Sequence, residues 1–134
     1  MPFLTDDELV RRAWDARGHS CSQYSGFAVG AALEADDGRI FTGCNVESSS
    51  YGLTCCAERV ALFKALSEGV RAFRRVAVVT AAPRVCPPCG ACRQVLADYA
   101  PGIAVIMANE SERILSTLDE LFPFGFDQNF LARP

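Results

Sequence analysis

The sequence predicts an α/β fold in which a central mixed sheet is covered by helices. Three observations carry this: an alternating hairpin pattern after residue 27, two short and continuous apolar runs of strand length, and helix-forming segments between the strands. Half of the 134 residues are apolar, so the chain is long enough to bury a core but short for two domains, and residues 1–134 read as a single domain.

The first element is a helix. In "TDDELVRRAWDARG", Thr5 and Glu8 form a capping box, Leu4 can staple onto Leu9, and Gly18 ends the segment. From Phe27 the period changes. Phe27, Val29, Ala31 and Leu33 alternate, "ADDG" supplies a turn, and "RIFTGCNVE" alternates again, which predicts a β-hairpin. After the loop "SSSYGLT", good helix formers and a closing Gly69 predict a helix that begins near Cys56. "RRVAVVT" follows as a buried strand. "PPCGACRQVLADYA" reads as a helix opened by proline and closed before Pro101, and "IAVIM" as a second buried strand. "STLDELFP" offers a last short helix before the aromatic tail "FPFGF".

Charge narrows the function. The formal net charge is −3, and Lys and Arg are scattered rather than striped, which argues against a nucleic-acid backbone as partner and favours a small neutral or cationic one. "MPFLTDDELV" runs straight into acidic residues, so no secretory leader is expected, and no apolar run has the length of a membrane span. A soluble, cytoplasmic protein is the expectation. Seven cysteines are many for this length, and an odd number cannot all pair. In a reducing compartment such clusters more often bind metal or do chemistry than form bridges.

"VCPPCGACRQV" places Cys86, Cys89 and Cys92 three residues apart, and "CCAE" places Glu58 two residues beyond Cys56. Residues three apart in a first helical turn face one side, and a helix N-terminus favours thiolate. If Cys56, Cys89 and Cys92 hold zinc, three protein ligands leave a fourth position for water, the arrangement of a catalytic rather than a structural site. Glu58 beside that water would serve as general acid and base. Three thiolates on Zn²⁺ leave net negative charge, so Arg59 or Arg93 is expected to donate hydrogen bonds to the sulfurs. Other readings stand beside this one. "CPPC" also fits a redox pair, Cys86 or Cys55 could close a four-sulfur structural site, and Glu58 could be an ordinary first-turn acid. Cys21 and Cys44 read as small buried hydrophobes. Asn45 and Glu47, two apart at a strand end, should emerge on one face.

Taken together, these motifs resemble the zinc-dependent cytidine deaminases, in the version where a cysteine replaces the histidine of the H-x-E motif. "YSGFAVGAAL", "GRIFTGCNVE", "CAERVALFKALSEG", "PCGACRQVL" and "DELFP" occur in that family's order and cover most of the chain. The resemblance implies a three-layer α/β/α domain with a central mixed five-stranded sheet, and Cys56, Cys89 and Cys92 as ligands of Zn²⁺. It implies hydrolysis of cytidine or 2′-deoxycytidine to uridine or 2′-deoxyuridine in pyrimidine salvage, by the chemistry already described for zinc deaminases as a class. In that scheme zinc-bound water attacks C4, and Glu58 shuttles the proton to N3 and then to the leaving amino group. It further implies that Phe27 stacks near the base, that Asn45 and Glu47 hold the ribose, and that Ala57 lines the substrate site; Arg59 is the expected support of the sulfurs on the charge argument above. A homotetramer is implied, with Tyr51 and Phe126 completing a neighbour's pocket. Gln23, Ser48 and Val60 depart from residues common in the family, and Cys55 and Cys86 are additional thiols beside the ligand positions. A deaminase of the antibiotic blasticidin S shares the metal motif, but the Glu47 of "NVESSSYG" resembles the cytidine enzymes. Polynucleotide deaminases fit less well, because no basic channel is visible.

Overall fold

The computed structural model describes residues 3–131. Thr5 caps the helix α1 (Asp6–Arg17) as its sequence requires: the Glu8 N–H donates to Thr5 Oγ1 at 3.2 Å, and Glu8 Oε1 accepts from the Thr5 N–H at 3.4 Å. Leu4 packs with Leu9 in one apolar cluster, as the staple predicts. The hairpin forms from β1 (Val29–Ala35) and β2 (Ile40–Cys44), joined by a turn at Gly38, and it is shorter at both ends than the alternation suggests. Phe27 lies in the loop before β1, and Asn45 to Glu47 lie beyond β2.

A short 3₁₀ turn (Tyr51–Leu53) precedes α2 (Ala57–Ser67), for which Cys56 is the N-cap residue. Gly69, at φ 87°, closes this helix: its N–H donates to Leu66 O and the Val70 N–H to Ala65 O, the paired bonds of a Schellman motif. Next come β3 (Phe73–Thr80) and α3 (Gly90–Tyr99). Pro87 and Pro88 do not open α3, as the sequence suggested. Each proline disfavours helical backbone in the residue before it, so the segment runs extended until Cys89, which becomes the N-cap. The chain continues through β4 (Ala104–Ala108), β5 (Arg113–Thr117), α4 (Leu118–Leu121) and a 3₁₀ turn (Gln128–Leu131).

The five strands form one mixed sheet in the order β2-β1-β3-β4-β5, with β3 and β4 parallel and every other pair antiparallel. Helix α1 covers one face, over Ala32, Ala77, Val79 and Ile106. Residues of α2, α3 and α4 cover the other, over Leu33, Val76, Val78 and Val105. This is the three-layer arrangement the resemblance implies. It also explains why six of the seven β1 residues are buried although the sequence reads as a half-buried alternation: both faces are covered. The residue pattern marked four strands. The fifth, β5, escapes it because Ile114 and Leu115 remain 45% and 62% exposed on the sheet edge.

One buried ion pair ties α1 to the sheet. Glu34 on β1 is fully buried, and Arg75 on β3 reaches both of its oxygens at 2.8 Å while also contacting Asp6 and Leu4 O. Such a pair compensates charges that would otherwise be costly to bury. No helix among the described residues is long and apolar enough to cross a membrane.

The close approach that positions the site occurs at Gly43. A Cβ there would lie 2.4 Å from Ala57 O and 2.6 Å from the Ala61 backbone nitrogen, so only glycine lets the first turn of α2 rest on β2. Gly43→Ala is therefore expected to lower the unfolding free energy by about 1–3 kcal/mol through overpacking. Urea denaturation measures this, and an unchanged midpoint would contradict the contact.

Candidate metal and substrate site

The N-termini of α2 and α3 meet at the same end of the sheet, which brings Cys56, Cys89 and Cys92 together. Cys56 Sγ lies 3.6 Å from Cys89 Sγ, and Cys89 Sγ 3.5 Å from Cys92 Sγ; all three fall within 4.8 Å of one another. A zinc ion with four tetrahedral partners at its usual bond length to sulfur holds thiolates roughly 3.8 Å apart. The trio therefore has the spacing of three corners of such a site, and it is too open for a disulfide. Burial grades across it, from buried Cys92 through half-buried Cys56 to exposed Cys89, so the cluster opens on one side.

The electrostatics also call for a cation. A hydrogen bond from the Cys92 thiol holds the Cys56 thiol well below its usual pKa, with Arg59 and Cys89 adding to the effect. The same bond to Cys56, with burial, pushes Cys92 up. Three sulfurs at this spacing cannot all ionise without positive charge among them. Part of that charge comes from Arg59, which donates to Cys56 Sγ at 3.5 Å and to Thr54 O at 3.4 Å. Arg93, the other candidate, does not reach the sulfurs. Its Nε donates to Pro88 O at 2.7 Å and an Nη to Leu121 O at 2.5 Å, so it anchors the start of α3 and the end of α4.

Glu58 sits in the first turn of α2 and is 4% exposed. Burial pushes its carboxyl up to about 7, and the charge on Cys56 adds to this, while its own backbone N–H, the Cys92 thiol and Arg59 act in the opposite direction. A carboxyl poised near neutrality beside a metal-ligating cluster is suited to accept and return a proton.

A cavity of about 410 Å³ is lined by Tyr24, Ser25, Glu47, Ser48, Tyr51 and Thr54. Thr54 joins the two regions, since its carbonyl takes the Arg59 bond and its hydroxyl accepts from the Ser48 N–H at 3.1 Å. Glu47 accepts from the N–H groups of Tyr24 and Ser25 at 3.1 and 3.0 Å and from the Ser25 hydroxyl, which holds its carboxyl below the usual range. Asn45 and Glu47 do share a side, with Asn45 Nδ2 3.5 Å from Glu47 Oε2. Asn45 is buried, however, and much of its capacity is used internally: Oδ1 accepts from the Val29 N–H and the Ser20 hydroxyl, and Nδ2 donates to Phe27 O. It therefore pins the loop that carries Phe27, which is 40% exposed.

Other expected residues fall differently. The Ala57 side chain is wholly buried in the core, so only its backbone can face a ligand. Tyr51, expected to complete a neighbour's pocket, lines the cavity of its own chain and meets Tyr24 edge to face at 6.3 Å. Phe126 lies along the flank of α3, stacked on Phe130, where Gln94 donates to its carbonyl at 2.7 Å; it does not line the Glu47 cavity. Cys55 and Cys86 lie outside the three-sulfur cluster. Cys21 is exposed rather than buried, because it pairs by backbone with Val46 beyond the end of β2 and turns its sulfur toward His19 O; Cys44 is half-buried. Tyr24, Ser25 and Thr54 carry no local signal of a site, because their part comes from folding against Glu47 and Arg59.

The chain matches, over residues 4–108, the family described as the cytidine and deoxycytidylate deaminase zinc-binding region. It is 44% identical over 128 residues to a cytidine deaminase of Sporosarcina psychrophila, covering 94% of each chain. It is 48% identical over 120 residues to one from Halalkalibacterium halodurans, covering 88% of this chain and 91% of the relative. Among solved structures it is similar to the cytidine deaminase of Burkholderia pseudomallei, with a TM-score of 0.90 and 42% identity over 92% of this chain and all of that one.

Metal analysis of purified protein should find one zinc per chain. Cys56→Ala, Cys89→Ala and Cys92→Ala should each lose it, whereas Cys55→Ala and Cys86→Ala should retain it. Zinc loss on removing Cys86 would instead indicate a four-sulfur site.

Proposed function

The chain belongs to the cytidine and deoxycytidylate deaminase zinc-binding family, and from that premise we propose that it hydrolyses cytidine and 2′-deoxycytidine to the corresponding uridine nucleoside and ammonia. It is an enzyme of the hydrolase type that uses zinc. The observation that carries the reading is the buried carboxyl of Glu58 in the turn that starts at Cys56, beside three sulfurs spaced to hold zinc.

Cys56, Cys89 and Cys92 would hold the zinc, which when bound would supply a water acidified toward neutral pH. Glu58 would accept a proton from the attacking water, deliver it to ring N3 and then assist departure of the exocyclic amino group; its burial keeps bulk water from competing as proton donor. Arg59 offsets the negative charge of the sulfurs, through Cys56, and so limits how strongly they oppose ionisation of the water and of Glu58. Glu47 accepts a sugar hydroxyl in the cavity beside Tyr51, Asn45 holds the loop of Phe27, and Phe27 covers the base.

The active form is a homotetramer in this reading. Large apolar side chains are left exposed on the single chain, among them Tyr51 at 76%, Leu53 at 75% and Phe130 at 72%, as interfaces require. Phe126, away from its own chain's cavity, is then free to complete a neighbour's. The reaction belongs to pyrimidine salvage in the cytoplasm, with a free nucleoside as the only partner besides zinc; neither nucleic acid nor membrane is involved.

Glu58→Gln tests the assignment. With zinc content and thermal midpoint retained, kcat for cytidine should fall by about 10²-fold or more, the range of general acid–base contributions. Uridine and ammonia appearing at the unmodified rate would overturn the role of Glu58.

A further inference from the structure

The cavity owes its arrangement to a residue that no part of the reaction scheme uses. The Ser25 hydroxyl donates to Glu47 Oε2 and accepts from the Phe27 N–H at 2.9 Å. A single hydroxyl therefore stands between the acid proposed to bind the sugar and the backbone of the aromatic proposed to cover the base. Asn45 completes the bracket, donating to Phe27 O at 2.8 Å with its amide nitrogen 3.5 Å from Glu47 Oε2.

The division of bonds on Glu47 shows what Ser25 does. Oε1 accepts two backbone N–H groups, those of Tyr24 and Ser25, and this uses its lone pairs. Oε2 accepts the Ser25 hydroxyl and, at 3.5 Å, only the edge of the Asn45 amide's reach, which leaves it an acceptor position. A glutamate side chain free to rotate would lose that freedom on binding a nucleoside, whereas one already held does not.

We propose that Ser25 is a positioning residue for the nucleoside, fixing Glu47 Oε2 toward the cavity and setting the Phe27 backbone through the same oxygen. This rests on the deaminase reading above. It adds that binding of the sugar and placement of the base are coupled through one side chain, so Ser25 acts on affinity rather than on the proton transfers at Glu58. Ser25 is exposed and its removable part is one hydroxyl, while the two N–H bonds to Oε1 come from the backbone and survive substitution.

Steady-state kinetics with cytidine on the zinc-loaded enzyme decide the matter, using Ser25→Ala, Ser25→Thr, Glu47→Gln and the double variant Ser25→Ala/Glu47→Gln. Loss of a hydrogen bond to a charged group should raise KM about tenfold in Ser25→Ala, with kcat within about twofold of the unmodified enzyme. Ser25→Thr, which keeps the hydroxyl, should restore KM. In the Glu47→Gln background, loss of the Ser25 hydroxyl should add little, because its partner charge is already gone. Inhibition by uridine should weaken in parallel with KM, and inhibition by the free base cytosine, which has no sugar, should change less. An unchanged KM in Ser25→Ala, a full additional loss in the double variant, or a fall in kcat alone overturns the inference while leaving the deaminase reading intact. Absence of cytidine turnover in the unmodified enzyme overturns both.

Discussion

Everything in this molecule depends on two helices beginning at one place. Zinc coordination by cysteines contributed from different elements requires their sulfurs to converge within a few ångströms, and that can happen only if the first turns of α2 and α3 are set side by side. The sheet achieves it through different routes. Helix α3 is the crossover between the parallel strands β3 and β4, so its N-terminus must lie beyond the C-terminal end of β3. Helix α2 follows the hairpin and is placed by direct backbone contact with Gly43 on β2. Residues 57 and 43 thus belong to one mechanical unit, and a methyl group at the second displaces the first.

Convergence brings an electrostatic problem, and the surrounding residues answer it in graded fashion. The Cys56 thiol is held low by its neighbours while that of Cys92 is pushed up, and the charge on Cys56 lies beside a buried carboxyl. Arg59 lies between the sulfur of Cys56 and the carbonyl of Thr54, so the cation that relieves the cluster also holds the wall of the neighbouring cavity. The three-sulfur cluster and the Glu47 cavity are not two separate constructions. They share the stretch from Ser48 to Arg59, in which a turn, an N-cap and a first helical turn follow one another without a spacer.

Much of the chemistry was legible because it is written in local spacing. A capping box, a closing glycine and "CAE" or "CGAC" at a helix start each have meaning within four residues, and all but the start of α3, which falls after the prolines, appear where the sequence puts them. The misreadings share a different cause. Cys21 is small and apolar by composition but lies outside the layers, and the Ala57 side chain fills the core, leaving only its backbone for any ligand. The fifth strand went unmarked because an edge strand need not carry the apolar alternation that burial imposes. Prolines that might open a helix instead delayed it, since two in succession constrain the residues before them.

The sequence by itself determined the layered α/β class and marked Cys56, Cys89, Cys92 and Glu58 as candidates, with Cys55 and Cys86 left as alternatives, because helix starts and metal-ligand spacings are properties of short segments. Only the tertiary structure decided that Arg59 rather than Arg93 faces the sulfurs, since both are adjacent in sequence to site residues and only the direction of each side chain separates them. It also decided that Ser25 and Tyr24 clasp Glu47 from more than twenty residues away, and that Asn45 spends its amide on the loop of Phe27. Those are contacts between segments that meet because the hairpin closes, and no local pattern encodes them.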